Sequence, residues 1–169
     1  MLIVSSLERA KEAFSYYNPT YIISILSEDE ERPVFDGLPD ESHLKLYVEC
    51  EVGGHGHSMT AKERTEMIIS KFNNWRESEG DVLIHCSKGV SRSMATAYIL
   101  QCMIQPDKSE QLIARQLRKV APHADPCLFM VNFADEILGR NNRLFDAIDD
   151  LPPCRTTIDA PIVLLSVAA

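Results

Sequence analysis

Apolar and polar positions alternate along this chain in two distinct periods, and the change from one to the other marks out strands and helices. Leu2 to Ser5 predicts a short buried strand, with Ser6 placed to cap a helix through Leu7, Ala10, Ala13 and Phe14. Tyr21 to Leu26 is apolar and β-branched throughout, as expected of a strand buried on both faces. Pro33, Gly37 and Pro39 then break any regular pattern, before Leu44, Leu46 and Val48 alternate with Lys45, Tyr47 and Glu49 as a third strand. Gly53 to Ser58 reads as a loop. Thr60 with Glu63 forms a capping-box pattern, and Met67, Ile68, Phe72 and Trp75 give the apolar stripe of a helix ending near Gly80. Val82 to His85 predicts a fourth strand. Helices follow over 92–104, 108–120, 126–138 and 141–149, Pro126 suiting a first helical turn. Strands separated by helices predict a three-layer α/β domain over residues 1–169, with a central, mainly parallel sheet.

Composition narrows the function. The 169 residues, 45% of them hydrophobic, are about one domain's length, and no internal repeat is visible. The net charge of −8, with no block of Lys and Arg, argues against nucleic acid and against stable membrane association. Five cysteines, at 50, 86, 102, 127 and 154, show no C-x-x-C spacing, so neither a disulfide framework nor a zinc ribbon is expected. A reducing, cytoplasmic setting fits this usage. The start lacks a basic leader, and the apolar run Ile162 to Ala169 is too short to span a bilayer.

The chemistry concentrates at His85-Cys86-Ser87-Lys88-Gly89-Val90-Ser91-Arg92-Ser93, where the fourth strand meets a helix. Five residues between Cys86 and Arg92 suffice to wrap a tetrahedral anion, with the amides from Ser87 to Arg92 turned inward and a helix N-terminus beneath. Gly89 supplies the turn. The planar fork of Arg92 grips two oxygens of such an anion, as a lysine cannot. Phosphate, sulfate or vanadate is the expected occupant. In these positive surroundings Cys86 is the candidate nucleophile, since a thiolate can attack phosphorus directly. Ser93 is placed to donate a hydrogen bond to the sulfur, and His85 to buttress the loop.

These nine residues match HCxxGxxR[ST] and so resemble the signature of the cysteine-dependent protein tyrosine phosphatases, the short GVSRS form being similar to the dual-specificity branch and to small bacterial relatives. The resemblance implies hydrolysis of phosphomonoesters through a phosphocysteine, with no metal or other cofactor. Its substrates would be phosphorylated proteins or small phosphomonoesters. Two departures stand out. Such enzymes carry an Asp general acid on a loop after the third strand, roughly thirty to forty residues before the nucleophile. Here that window holds Cys50, Glu51, Val52 and a GGHGH loop, with Cys50 aligned to the Asp. A Pro-Asn pair frequent in the helical part is replaced by Pro126-Cys127.

Glu51 is the nearest carboxylate to the acid's place and competes with a reading as a surface residue. His55 and His57 form H-x-H without further ligands nearby, which argues against a metal site. Cys50 or Cys127 would form a redox pair with Cys86 if the fold brings them close. Three rival functions stay open: a phosphate-recognising module with weak or no turnover, an inositol phosphate or phosphoinositide phosphatase, and sulfur transfer on a rhodanese-like loop. With Lys88 the only cation between Cys86 and Arg92, a highly charged inositol ring is less well served than phosphotyrosine.

Overall fold

In the computed structural model, which describes residues 1–47, 60–77 and 80–167, the expected alternation of strand and helix is present. Strand β1 (Leu2–Ser6) leads through a turn to helix α1 (Ala10–Tyr17), followed by β2 (Tyr21–Leu26) and β3 (His43–Tyr47). Helix α2 (Ala61–Glu77) precedes β4 (Val82–Cys86), after which come α3 (Arg92–Ile104), α4 (Glu110–Val120), α5 (Leu128–Leu138), α6 (Arg143–Asp149) and β5 (Val163–Leu165). The capping box is formed: the Glu63 N–H donates to Thr60 Oγ1 at 3.3 Å and the Thr60 N–H to Glu63 Oε2 at 2.6 Å.

The sheet order is β3-β2-β4-β1-β5, parallel except for β5, which pairs antiparallel with β1. Strands β1, β2 and β4 are buried at every position, as uninterrupted apolar runs require, because helices cover both faces. Leu2, Val4, Ile23, Ile25, Val82 and Ile84 point to the side that α2 through α6 cover. Ile3, Ile22 and Leu83 point the other way, against Ala10 and Ala13 of α1 and Phe35. The result is three layers. Helix α3 packs on β1, β4, α2, α4 and α5, and its residues from Ser93 to Cys102 are all buried. Trp75 belongs to the core, its indole N–H donating to the Gly80 carbonyl at 3.3 Å.

Some boundaries differ from the sequence reading for local reasons. Ser6 Oγ does accept the Arg9 N–H, at 3.3 Å, but residues 7–9 form a turn and the helix starts at Ala10. Pro126 precedes α5 rather than opening it, Cys127 being the capping residue. The run read only as a non-spanning tail contains β5, an edge strand. Among the described residues no helix is long and apolar enough to cross a membrane.

Candidate active site

The site grows from the central strand. Because β1, β2 and β4 run parallel, their carboxyl ends share one edge of the sheet, with Ser6 and Ile25 flanking Cys86 in register. Residues 87–91 turn there and enter α3. The loop's carbonyls are fixed from outside: Ser87 accepts the Leu7 N–H at 3.1 Å, Val90 the Asp125 N–H at 2.9 Å, and Ser91 the N–H groups of Ala95 at 2.9 Å and Cys127 at 3.4 Å. In a trans peptide unit the N–H points opposite to the C=O, so the amides of Lys88, Ser91 and Arg92 face away from these supports. That is the arrangement an anion needs, reinforced by the N-terminal end of α3. Gly89 takes a φ of +68° at the tightest point.

Cys86 lies at the floor, 2% exposed, with its Sγ 3.1 Å from the Oγ of fully buried Ser93. A hydroxyl at that distance can stabilise a sulfur anion. Lys88 is exposed, while Arg92 is half-buried at the loop's far end.

Beneath the loop lies a relay of three side chains. Ser24 Oγ is 2.6 Å from His85 Nε2 and 2.7 Å from His43 Nε2. The hydroxyl has one proton, so it donates to one imidazole and accepts from the other. Burial pushes the fully buried His85 down to about 3, helped by the neighbouring His43 and opposed by Glu30. Burial, then Lys45 and Arg32, push His43 down to about 4. Both rings are neutral at pH 7. Since the unfolded chain protonates near 6.5, stability is complete above that value and declines as pH falls toward the folded values. The free energy of unfolding in urea is expected to drop between pH 6.5 and 5 by roughly 2 kcal/mol from His85 alone. A His43→Gln variant should show a shallower decline, and equal slopes in the two proteins would remove the pair from the account.

Arg92 is held by the turn after β2. Its Nη1–H donates to Ser27 Oγ at 3.0 Å, and its Nη2–H to Glu30 Oε2 at 3.4 Å. Glu30 Oε2 also accepts the Ser27 N–H at 2.6 Å. Burial by itself would raise the Glu30 carboxyl, but the Ser27 amide, the Ser87 side chain and Arg92 together outweigh it and hold the group below the ordinary carboxylate range. Neither Ser27 and Glu30 nor Ser24 and His43 emerged as site residues from the sequence. The usable signal was the acidic run Glu28-Asp29-Glu30-Glu31 directly after a strand that ends at the same sheet edge as Cys86.

Cys50, Glu51, His55 and His57 lie outside the described residues. Among the described residues no three His, Cys, Asp or Glu side chains converge as metal ligands. Cys86, Cys102, Cys127 and Cys154 form no disulfide. The Cys127 amide donates to the Ser91 carbonyl, which sets that residue against the outer side of the loop over 87–91. Cys102 is remote in α3, and burial pushes its thiol up to about 12.

Residues 54–122, which include the whole loop, match the family model for protein-tyrosine phosphatase. That stretch of the chain is similar to the cysteine-dependent protein tyrosine phosphatases. Solved structures agree on the fold. Human DUSP28 is similar with a TM-score of 0.62 at 17% identity, covering 83% of this chain and 94% of its own. The human tyrosine phosphatase-like serine/threonine/tyrosine-interacting protein gives 0.63 at 18%, with 83% and 92% covered. PTPMT1 in complex with PI(5)P gives 0.58 at 14%, with 83% and 94% covered. No curated protein matches the chain in sequence. The match and the Cys-x5-Arg loop within it support a cysteine-dependent phosphatase, a family whose substrates are phosphorylated.

Proposed function

We propose that the chain hydrolyses phosphotyrosine, and related phosphomonoesters on proteins, through a phosphocysteine at Cys86. The observation that carries this reading is the backbone of residues 87–91, in which the Ser87, Val90 and Ser91 carbonyls are bound on the outer side while Cys86 and Arg92 stand at its two ends. The Cys86 sulfur attacks phosphorus in line with the departing ester oxygen. The loop amides from Ser87 to Arg92 and the Arg92 guanidinium hold the three equatorial oxygens. Water then attacks the phosphocysteine, passing a proton to the Glu51 carboxylate left by the first step, and the sulfur leaves as a thiolate that accepts a hydrogen bond from the Ser93 hydroxyl. Lys88 adds a positive charge at the rim.

The reaction needs a proton for the leaving oxygen. Glu30 does not suit this task, because its hydrogen bonds keep it ionised and turned to Arg92. Glu51 is the acid we assign. Glu51→Gln is expected to slow phosphotyrosine hydrolysis about a hundredfold and para-nitrophenyl phosphate far less, since the latter's phenolate departs without help. Equal effects on the two esters would reject the assignment. Cys50→Asp would then test whether a carboxylate at the aligned position raises the rate.

Turnover of para-nitrophenyl phosphate, inhibited by vanadate, tests the reading as a whole. Phosphate binding without turnover would favour the recognition module, and faster hydrolysis of an inositol phosphate than of a phosphotyrosine peptide would favour the phosphoinositide reading.

A further inference from the structure

Strand β5 and the last turns of α3 and α4 border a cavity of about 380 Å³ that the mechanism above does not use. It lies at the other end of the sheet from Cys86. Leu165, in its wall, pairs with Leu2 at the start of β1, whereas Cys86 pairs with Ser6 at the end of that strand. Gln101, which lines the cavity from α3, stands roughly 13 Å beyond Arg92 along the helix at about 1.5 Å per residue.

We propose that this cavity binds a small apolar carboxylic acid that carries an N–H donor, an N-acylated aliphatic amino acid being the simplest such compound. Three features of the wall call for the three parts of that ligand. The first is Gln101, 5% exposed, whose Oε1 is buried with no hydrogen-bond partner among the described residues. Its Nε2–H donates to the Ser166 carbonyl at 3.3 Å, and that carbonyl fixes which end of the amide is the nitrogen. The free position is therefore an acceptor, and a buried acceptor without a donor destabilises the site until one arrives.

The second feature is charge. Lys108 and Lys119 line the cavity and no acidic side chain does. Lys45 and Lys62 pair with carboxylates, but among the described residues neither Lys108 nor Lys119 forms an ion pair. Gln105 holds Lys108 at the wall, its Oε1 accepting from the ammonium at 2.6 Å. The carbonyl ends of α3 and α4 oppose an anion with roughly half a negative charge each, so the two ammonium groups leave a surplus of about one positive charge. A carboxylate matches that surplus, and a phosphate dianion exceeds it. The third feature is apolar surface. Leu117 and Leu165 are buried, while Val120 and Leu164 are 53% and 39% exposed, and an aliphatic group set among them removes that surface from water. The volume falls within the range of small-molecule sites, about 300–1,000 Å³.

The test titrates the full chain with N-acetyl-L-leucine and follows the backbone amides by NMR. Binding at about 1 mM or tighter is expected, the scale for so small a ligand, with shifts at Gln101, Lys119 and residues 164–166. Two analogues take the ligand apart: N-acetyl-L-leucinamide lacks the charge, and the ester with oxygen in place of the N–H lacks the donor. Each should bind about fivefold more weakly, the scale of one such interaction. In Gln101→Met the acid and the ester should bind alike. In the double variant Lys108→Gln, Lys119→Gln the acid and the carboxamide should bind alike, with thermal unfolding as the control for folding in both proteins. If Gln101→Met does not fold, the comparison of acid with ester on the wild type carries the test. No binding at about 20 mM, shifts confined to residues 87–92, or an analogue that binds as well as the acid would overturn the proposal. An acid-over-ester preference that survives in Gln101→Met would overturn it too, leaving the Gln101 oxygen to water. Tighter binding of a tripeptide ending in leucine would make the occupant a chain terminus and would likewise overturn the assignment to a small acid.

Discussion

Replacing Cys86 by Ser should reduce turnover of para-nitrophenyl phosphate to below about 10⁻⁴ of the wild-type rate while phosphate affinity stays within a few-fold. The two halves of this result have separate causes. A serine hydroxyl near neutral pH needs a base to become a nucleophile. His85, the nearest imidazole in sequence, is turned to Ser24 and is held neutral by burial. Ser93, at 3.1 Å from the sulfur, is another hydroxyl and offers no base. The proposed anion site is a different matter, because backbone amides and Arg92 would make it, and their supports at Leu7, Asp125, Ser27 and Glu30 do not involve the sulfur. Iodoacetate should alkylate the wild type with loss of activity, and phosphate should protect it. Activity persisting in Cys86→Ser would remove the phosphocysteine from the mechanism.

What could be read in the sequence follows the range of the interactions involved. The strand over Tyr21–Leu26 and the helix over Arg92–Ile104 were legible to the residue, since an apolar β-branched run and a glycine loop followed by a helix are local signals. The capping box was legible for the same reason. Strand β5 was not: three residues with Val163 and Leu165 buried and Leu164 exposed form too short an alternation to distinguish from a tail, and only pairing with β1 makes them a strand. The loop from Cys86 to Arg92 could be found because its parts are contiguous. Its supports could not, because Ser24, Ser27, Glu30 and His43 reach it through sheet register rather than through spacing. The acidic run after β2 was visible as composition, and parallel pairing of β2 with β4 turns one of its carboxylates into a contact of Arg92.

Gly89→Ala should lower turnover by a hundredfold to a thousandfold and weaken phosphate in parallel, although the substitution adds one methyl and removes no functional group. Two costs combine. A φ of +68° is a conformation that alanine adopts at a penalty of about 1–2 kcal/mol. The added Cβ would also stand 2.7 Å from the Ser6 nitrogen and 2.8 Å from the Ser5 carbonyl carbon. Those atoms belong to β1, which is paired with β4 on one side and β5 on the other, so the strand cannot retreat. The loop must move instead, and its displacement carries the amides away from the positions fixed by Leu7 and Asp125. A shift of about 1 Å is enough to cost two orders of magnitude in rate. Gly37 provides the control, since its φ is +84° but nothing lies within 4 Å of its would-be Cβ. Gly37→Ala should therefore lose about 1 kcal/mol of stability in urea and keep its turnover. Equal rates for Gly89→Ala and wild type would show that the loop tolerates the displacement, and close backbone approach would no longer explain the glycine.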